Sequence, residues 1–352
     1  MVEWKKLSDV AVIKNGKDYK KLSNGTIPVY GTGGIMTYVD QFASDKPSVL
    51  LPRKGSVENI FYVDKPFWTV DTLYWTDIDT SRIDPKFLFM SLQRYNLKEY
   101  AYGGARPSLS QSILYNLDIP LPSLSEQQRI VEQLDTFTSS IENLKEQIVL
   151  RRKQYEYYRD QLLDLKGKEG VEMKTLGEVG DVCMCKRIMK EQTSENEEIP
   201  FFKIGTFGSQ ADAFISRDLF EEYKSKYSYP KKGEILISAS GTIGRSVVFD
   251  GEDAYYQDSN IVWIANDEKV VTNRYLYYFY QVADWKVDGG TIKRLYNYNL
   301  KNTTIPLPPL TEQQRIVSIL DTFEASIQNL EQQLAQREKQ YEYYRNKLLT
   351  FE

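Results

Sequence analysis

The chain contains one long segment twice, and no other feature constrains its fold as strongly. Ser125 to Leu165 reads SEQQRIVEQLDTFTSSIENLKEQIVLRRKQYEYYRDQLLDL, and Thr311 to Phe351 reads TEQQRIVSILDTFEASIQNLEQQLAQREKQYEYYRNKLLTF. Extended back to their IPLP lead-ins at Ile119 and Ile305, about 30 of 47 positions match, at a constant offset of roughly 186 residues. In each copy apolar residues recur in alternating steps of four and three. The first copy has Ile130, Leu134, Phe137, Ile141, Leu144, Ile148, Tyr155, Tyr158, Leu162 and Leu165. The second has Ile316, Leu320, Phe323, Ile327, Leu330, Leu334, Tyr341, Tyr344, Leu348 and Phe351. A heptad seam of this kind belongs to a helix that buries one narrow stripe against another helix. Only Arg151 and its counterpart Arg337 interrupt it. Capping-box signatures, Ser125 with Gln128 and Thr311 with Gln314, predict where each helix starts. At about 1.5 Å per residue each copy makes a rod of roughly 60 Å. Two matched rods in one chain form a spacer.

Around the rods the chain repeats a plan. Residues 1–118 form a strand-rich globule, 119–170 the first rod with its lead-in and the linker LKGKEG, 171–304 a second globule, and 305–352 the second rod. In the first globule VEWKKLSDVAVIKNGKDY predicts a short helical turn followed by a strand. VLLPRKGSVENIFYV predicts a strand pair around Lys54-Gly55, and FWTVDTLYWTDI a further strand. DPKFLFMSLQRYNLKEY predicts a helix, apolar through Phe87, Met90, Leu92 and Tyr95. The second globule restarts at Val171 with VEMKTLGEVGDV. It follows with GEILISASGTIGRSVVFDGEDAYYQDSNIVWI, the helix NRYLYYFYQVADW, the loop DGGTIKRLYNYN and a second lead-in. The fold class is therefore α+β: two mixed, strand-rich globules separated by long coiled-coil helices, with an internal repeat. Near-identical rods imply one task done twice, and divergent globules imply two versions of another.

Composition narrows the chemistry. Among 352 residues there is no histidine, which removes Ser-His-Asp and Cys-His nucleophile systems and HExxH zinc sites. Cys183 and Cys185 are too few for a zinc site and poorly spaced for a bridge, so they read as reduced thiols of a cytoplasmic protein. No apolar run is long enough to cross a membrane, and MVEWKKLSDV lacks the apolar core of a secretory signal. Net charge is −4, with about 15 basic and 13 acidic residues in 1–118, and about 17 and 20 in 171–304. A DNA reader of this composition needs local basic loops, or a partner that supplies most of the phosphate contacts.

The tandem plan, the IPLP…EQQRIV…LD entry to each rod, and the segment ILISASGTIGRS…YYQDSNIVWI together resemble the specificity subunit of Type I restriction-modification enzymes. The likeness spans essentially the whole chain. It implies that each globule is a target-recognition domain reading one half of a split sequence in double-stranded DNA. It also implies that the rods pair antiparallel, set the half-site spacing and dock two modification (methyltransferase) subunits, and through them restriction/translocase subunits. Catalysis then belongs to the partners, which carry S-adenosylmethionine, ATP and magnesium. This chain has neither an NPPY-type methyltransferase segment nor a Walker lysine, and is expected to bind no cofactor or metal itself. The competing reading is a coiled-coil scaffold whose globules bind proteins. A free-standing modification enzyme would need cofactor motifs that are missing.

Candidate DNA contacts follow from residue chemistry and position. Ile237 to Ser246, ISASGTIGRS, is not a phosphate-binding loop, because Gly241 and Gly244 are too close together and Arg245 stands where lysine is needed. It reads as a strand-turn-strand loop in which Ser238, Ser240 and Thr242 let backbone approach DNA and Arg245 meets a phosphate or guanine edge. A tight turn with no contact to DNA is the alternative. Arg53, Lys54 and Ser56 occupy the corresponding loop of the first globule. Gln257, with Ser259 and Asn260, carries groups that read adenine or brace a loop. The loops before the lead-ins, with Arg106, Ser108 and Gln111, and with Lys293, Arg294 and Asn297, combine charge and polar donors. Tyr155, Tyr158, Tyr341 and Tyr344 fall on seam positions and read as packing.

Overall fold

In the computed structural model residues 2–290 and 293–351 are described. The chain divides into two compact units, Met1–Glu146 with Glu331–Glu352, and Gln147–Leu330. Each unit thus holds one globule, the start of the helix that follows it and the end of the other long helix.

Both globules are built to one topology. The first has a four-stranded antiparallel sheet in the order Ala11–Asn15, Leu73–Ile78, Ser48–Pro52, Phe61–Val63. The second repeats this with Asp181–Cys183, Ile261–Ala265, Ile235–Ser238 and Ser246–Val248. Each adds a three-stranded sheet with one parallel pairing: Asn24–Gly31 beside Trp68–Thr69 in the first, Ile199–Phe202 beside Tyr255–Tyr256 in the second. Each also closes with a two-stranded pair. Glu3–Lys6 pairs with the lead-in Asp118–Leu121, and Glu172–Thr175 with Thr304–Leu307. The sequence predicts a helical turn before the first strand. A strand precedes that turn, because the lead-in supplies its partner. FWTVDTLYWTDI is two strands, Trp68–Thr69 and Leu73–Ile78, broken by a tight turn in which Leu73 N–H donates to Val70 C=O at 3.0 Å. The predicted helix is Pro85–Leu92, capped by the Asp84 carboxylate accepting from Lys86 and Phe87 N–H at 2.8 and 2.9 Å. Tyr95 lies beyond its end.

The long helices are Leu124–Leu163 and Leu310–Leu349. Their starts correct the capping-box prediction: Ser125 and Thr311 fall inside the helices, one residue past the first helical position. The carbonyls of Ser123 and Pro309 accept the first intrahelical bonds, from Gln127 and Gln313 N–H. A buried glutamine completes each entry instead. Gln127 is fully buried. Its amide donates to Pro122 C=O (2.9 Å) and Arg82 C=O (3.1 Å), and its Oε1 accepts from Asp84 N–H (2.7 Å). Gln313 does the same with Pro308 C=O (2.9 Å), Val270 C=O (2.9 Å) and Thr272 N–H (3.0 Å). The EQQ of each entry motif therefore ties rod to globule through unpaired backbone groups that would otherwise lack partners.

In both units the helical segments pack antiparallel, and the rod ends complete the globular cores. Ile130, Leu134 and Leu349 join Leu7, Phe87 and Leu114 in the first core, while Leu163, Leu165, Ile316 and Leu320 join Leu176, Tyr275 and Ile305 in the second. Along the seam Leu134, Leu144 and Leu320 are buried, and Ile141, Tyr155, Ile327, Leu330 and Tyr341 are half-buried. Phe137 stacks on Tyr344 at 5.2 Å, and Phe323 on Tyr158 at 5.4 Å. These two tyrosines edge the seam, 40% and 46% exposed. The arginines that interrupt the heptads belong to it. Arg337 lies 5.7 Å from the Phe137 ring centroid and Arg151 lies 6.0 Å from that of Phe323, so each phenylalanine meets a tyrosine and a guanidinium one heptad apart.

Candidate nucleic-acid interface

In each globule the two loops singled out from sequence are joined to one another. In the first, Lys54 bridges Ser108, Leu109 N–H donates to Arg53 C=O at 2.9 Å, and Gly55 N–H donates to Pro107 C=O at 3.0 Å. Tyr102 and Ser108 exchange both backbone bonds, at 3.0 and 2.8 Å. In the second globule Ser240 bridges Arg294, Leu295 N–H donates to Ala239 C=O at 2.8 Å, and Asp288 and Arg294 exchange bonds at 3.0 and 2.8 Å. Every equivalent pair differs by the same roughly 186 residues as the rods. The register of the repeat therefore runs from loop to rod, although the loop sequences differ. Gly55 and Gly241, at φ +87° and +63°, make the turn in each case.

On the first loop pair Lys54 is exposed, 3.7 Å from the Asp71 carboxylate, and Ser56 and Arg106 are exposed. Arg53 is held: its guanidinium lies 5.7 Å over the Tyr74 ring and donates to Asp71 C=O at 3.4 Å. Burial pushes the Tyr74 phenol up from its ordinary value, so its hydroxyl stays a donor, to Leu109 C=O at 3.2 Å. Ser108 is half-buried with both backbone edges paired, and Gln111 donates to Asn15 Oδ1 at 3.3 Å.

The second loop separates surface groups from braces. Ser238 is corrected as a contact: it is 1% exposed, its hydroxyl donates to Thr242 C=O, and it accepts from Arg245 N–H at 3.0 Å. That hydroxyl is consumed in holding the turn. Gln257 is also a brace, its Oε1 accepting from Ile204 N–H at 2.9 Å. The Ser240 hydroxyl is turned to Asn260 Oδ1 at 2.8 Å. Thr242 and Arg245 are exposed, with Arg245 donating to Phe207 C=O at 2.9 Å. Lys293 and Asn297 are exposed, beside the stacked, exposed pair Tyr296 and Tyr298 at 5.9 Å. Tyr298 bonds the Asp288 carboxylate, and with Asn299 it holds that carboxyl below its ordinary range. Thr291 and Ile292 of the same loop lie outside the described residues.

Beside Arg294 opens a cleft of about 500 Å³, lined by Arg187, Lys190, Lys203 and the turn Gln257–Asn260. Sequence reasoning missed Arg187, Lys190 and Lys203. For Arg187 and Lys190 the usable signal was the basic run KRIMK shortly after the strand Asp181–Cys183; Lys203 had no such signal. In the first globule Lys14, Asn15 and Lys17, with Phe42, Trp68 and Trp75, line a cleft of about 360 Å³. Two globules with little net charge thus each place cations in a cleft, three lysines and arginines beside Arg294 in the second and two lysines in the first. Among the described residues no cluster of carboxylates and cysteines could hold a metal, and no helix is long and apolar enough to cross a membrane. Cys183 and Cys185 are both free thiols.

Known proteins resemble this chain over nearly its whole length. The family model described as Type I restriction modification DNA specificity domain matches residues 1–151 and again 168–339. The chain is 46% identical to a protein of Haemophilus influenzae named as a type I restriction enzyme specificity subunit, over 99% of this chain and 96% of that one. It is 29% identical to the specificity subunit of the type I restriction enzyme EcoR124I/EcoR124II of Escherichia coli, over 99% and 94%. The fold matches the crystal structure of a Type I restriction-modification S subunit from M. genitalium with a TM-score of 0.64 at 17% identity, covering 100% and 97% of the two chains. With two specificity domains, two matched rods and these relatives, the chain belongs to the family of specificity subunits of Type I restriction-modification systems.

Proposed function

We propose that the protein is the non-catalytic DNA-recognition subunit of a Type I restriction-modification complex, each globule reading one half of an asymmetric, split duplex target. The observation that carries this reading is the loop pair found twice in the same register, 54 with 108 and 240 with 294, bearing different side chains on one topology. One scaffold presenting two sets of readers fits two different half-sites. The rods set half-site spacing and dock two methyltransferase subunits, one at each copy of the near-identical surface, and restriction/translocase subunits join through them. S-adenosylmethionine, ATP and magnesium belong to those partners.

The test assembles the chain with methyltransferase subunits and maps methylated adenines. Replacing residues 1–118 with those of a relative changes one half-site and leaves the other intact; loss or change of both halves refutes the division of labour. Deleting one heptad from a single rod changes the spacing or abolishes assembly, and unchanged spacing with full activity refutes the ruler. Stable protein binding without salt-dependent DNA affinity would favour a scaffold instead.

A further inference from the structure

The turn Gln257–Asn260 is built to aim two arginines into one cleft. Gln257 anchors it to the neighbouring strand segment through Ile204 N–H at 2.9 Å, and Ser259 sits at φ +54°, a conformation that non-glycine residues adopt at a cost. From this turn the Asp258 carboxylate takes Arg187 Nε at 2.9 Å, and the next residue's carbonyl, on Ser259, takes Arg294 Nη2 at 2.7 Å. Asp258 is itself mostly covered, 18% exposed, whereas the Arg187 side chain is 66% exposed. A strut on Nε fixes the plane of the guanidinium, and the two Nη groups of this cleft-lining side chain are left for a ligand. A planar fork with two outward N–H donors matches guanine O6 and N7, which a flexible ammonium does not. Lys190 lines the same cleft as a charge suited to phosphate, and Lys203 stands beside it, paired with the Asp212 carboxylate at 2.8 Å.

On the reading that this globule binds duplex DNA, we propose that Arg187, oriented by Asp258, is a base-reading residue of the second half-site, and that Asp258 is its positioning residue. Arg187 lies far in sequence from both candidate loops of its globule.

The test uses the full chain assembled with methyltransferase subunits and a duplex library whose first half-site is fixed and whose second is randomised, read by methylation and sequencing. Arg187→Ala and Arg187→Lys should each lower discrimination at one base pair of the second half-site by about 5- to 150-fold, leaving the first half-site unchanged. The lysine variant keeps the charge, so its salt dependence should match wild type while its specificity relaxes. Asp258→Ala should relax the same base pair without removing a cation, an effect that a merely structural carboxylate would not produce. The proposal is overturned if these variants keep the wild-type preference, or if Arg187→Ala weakens all second half-sites equally with a salt slope shallower by about 1, the signature of a phosphate contact. Thermal melting of each complex separates misfolding from relaxed reading, and the lysine variant decides the matter if the alanine variant fails to fold. A wild-type complex without any preference in the second half-site would sink the underlying function as well, and is seen before any variant is made.

Discussion

Replacing Gln127 by alanine should unlock the entry of the first rod. The side chain is fully buried and serves three backbone groups: Asp84 N–H at 2.7 Å, Pro122 C=O at 2.9 Å and Arg82 C=O at 3.1 Å. Truncation leaves the half-buried Asp84 N–H without its partner, at about 1–3 kcal/mol for an unmade bond. The two carbonyls add less, because a carbonyl left short of a donor is tolerated better than an orphaned N–H. Lost packing of the buried side chain adds about 1 kcal/mol, for a total of about 2–4 kcal/mol. Asp84 is also the cap of the helix Pro85–Leu92, so the damage should spread to that helix. With about 2–4 °C per kcal/mol for a unit of this size, thermal unfolding of the first unit should fall by about 5–15 °C. The backbone amides of Asp84, Lys86 and Phe87 should exchange faster with deuterium than in wild type. Gln127→Glu should be at least as damaging, because a carboxylate can accept from Asp84 but cannot donate to either carbonyl. A Gln127→Ala melt within 1 °C of wild type, with unchanged exchange, would refute the clamp. Gln313→Ala, acting on Val270, Thr272 and Pro308, should reproduce the effect in the second unit.

Three further outcomes follow from particular sites. Gly244 has φ +83°, and a Cβ there would lie 2.4 Å from Trp285 Nε1, so Gly244→Ala should cost about 1–3 kcal/mol and shift the tryptophan fluorescence. Glu234 is 3% exposed, and burial holds its carboxyl above the ordinary value. The native state then binds this proton more tightly than the unfolded chain, so the ionisation penalty is absent below pH ~4 and grows as pH rises toward the folded value. Glu234→Gln, which keeps an oxygen for Lys231 N–H, should therefore raise Tm near neutral pH relative to wild type and lose that advantage in acid; a pH-independent difference would refute the assignment. Burial pushes the Cys185 thiol up to about 12, so in the native protein it should resist alkylation at pH 8 and react only on unfolding, as mass spectrometry after iodoacetamide treatment would show.

Local pattern made the rods legible. A heptad stripe needs only a helix and a facing helix, and both are written in the spacing of Leu134, Phe137, Leu320 and Phe323. The duplication set the order of parts, and the α+β class followed from alternating strands and short helices. The loop candidates were legible as chemistry, and the fold joins them in pairs in both globules. What sequence could not separate was an exposed group from a brace. Ser238 and Thr242 are both small, polar and within one loop, yet one hydroxyl is buried in the turn and the other is exposed.

The sequence by itself determined the repeat, its register and the absence of histidine chemistry, since these depend on residue identity and spacing alone. Only the tertiary structure decided the rest. It made the first glutamine of each EQQ a buried clamp, where the capping-box expectation had pointed to the second, because the partners of Gln127 come from a globule segment some 43 to 45 residues away. It placed Arg151 and Arg337 on aromatic rings of the facing helix, where a guanidinium packs as well as an apolar side chain. And it brought Arg187 and Arg294, far apart in the chain, to the two sides of one strained turn, a juxtaposition set by sheet topology and carried by no local pattern.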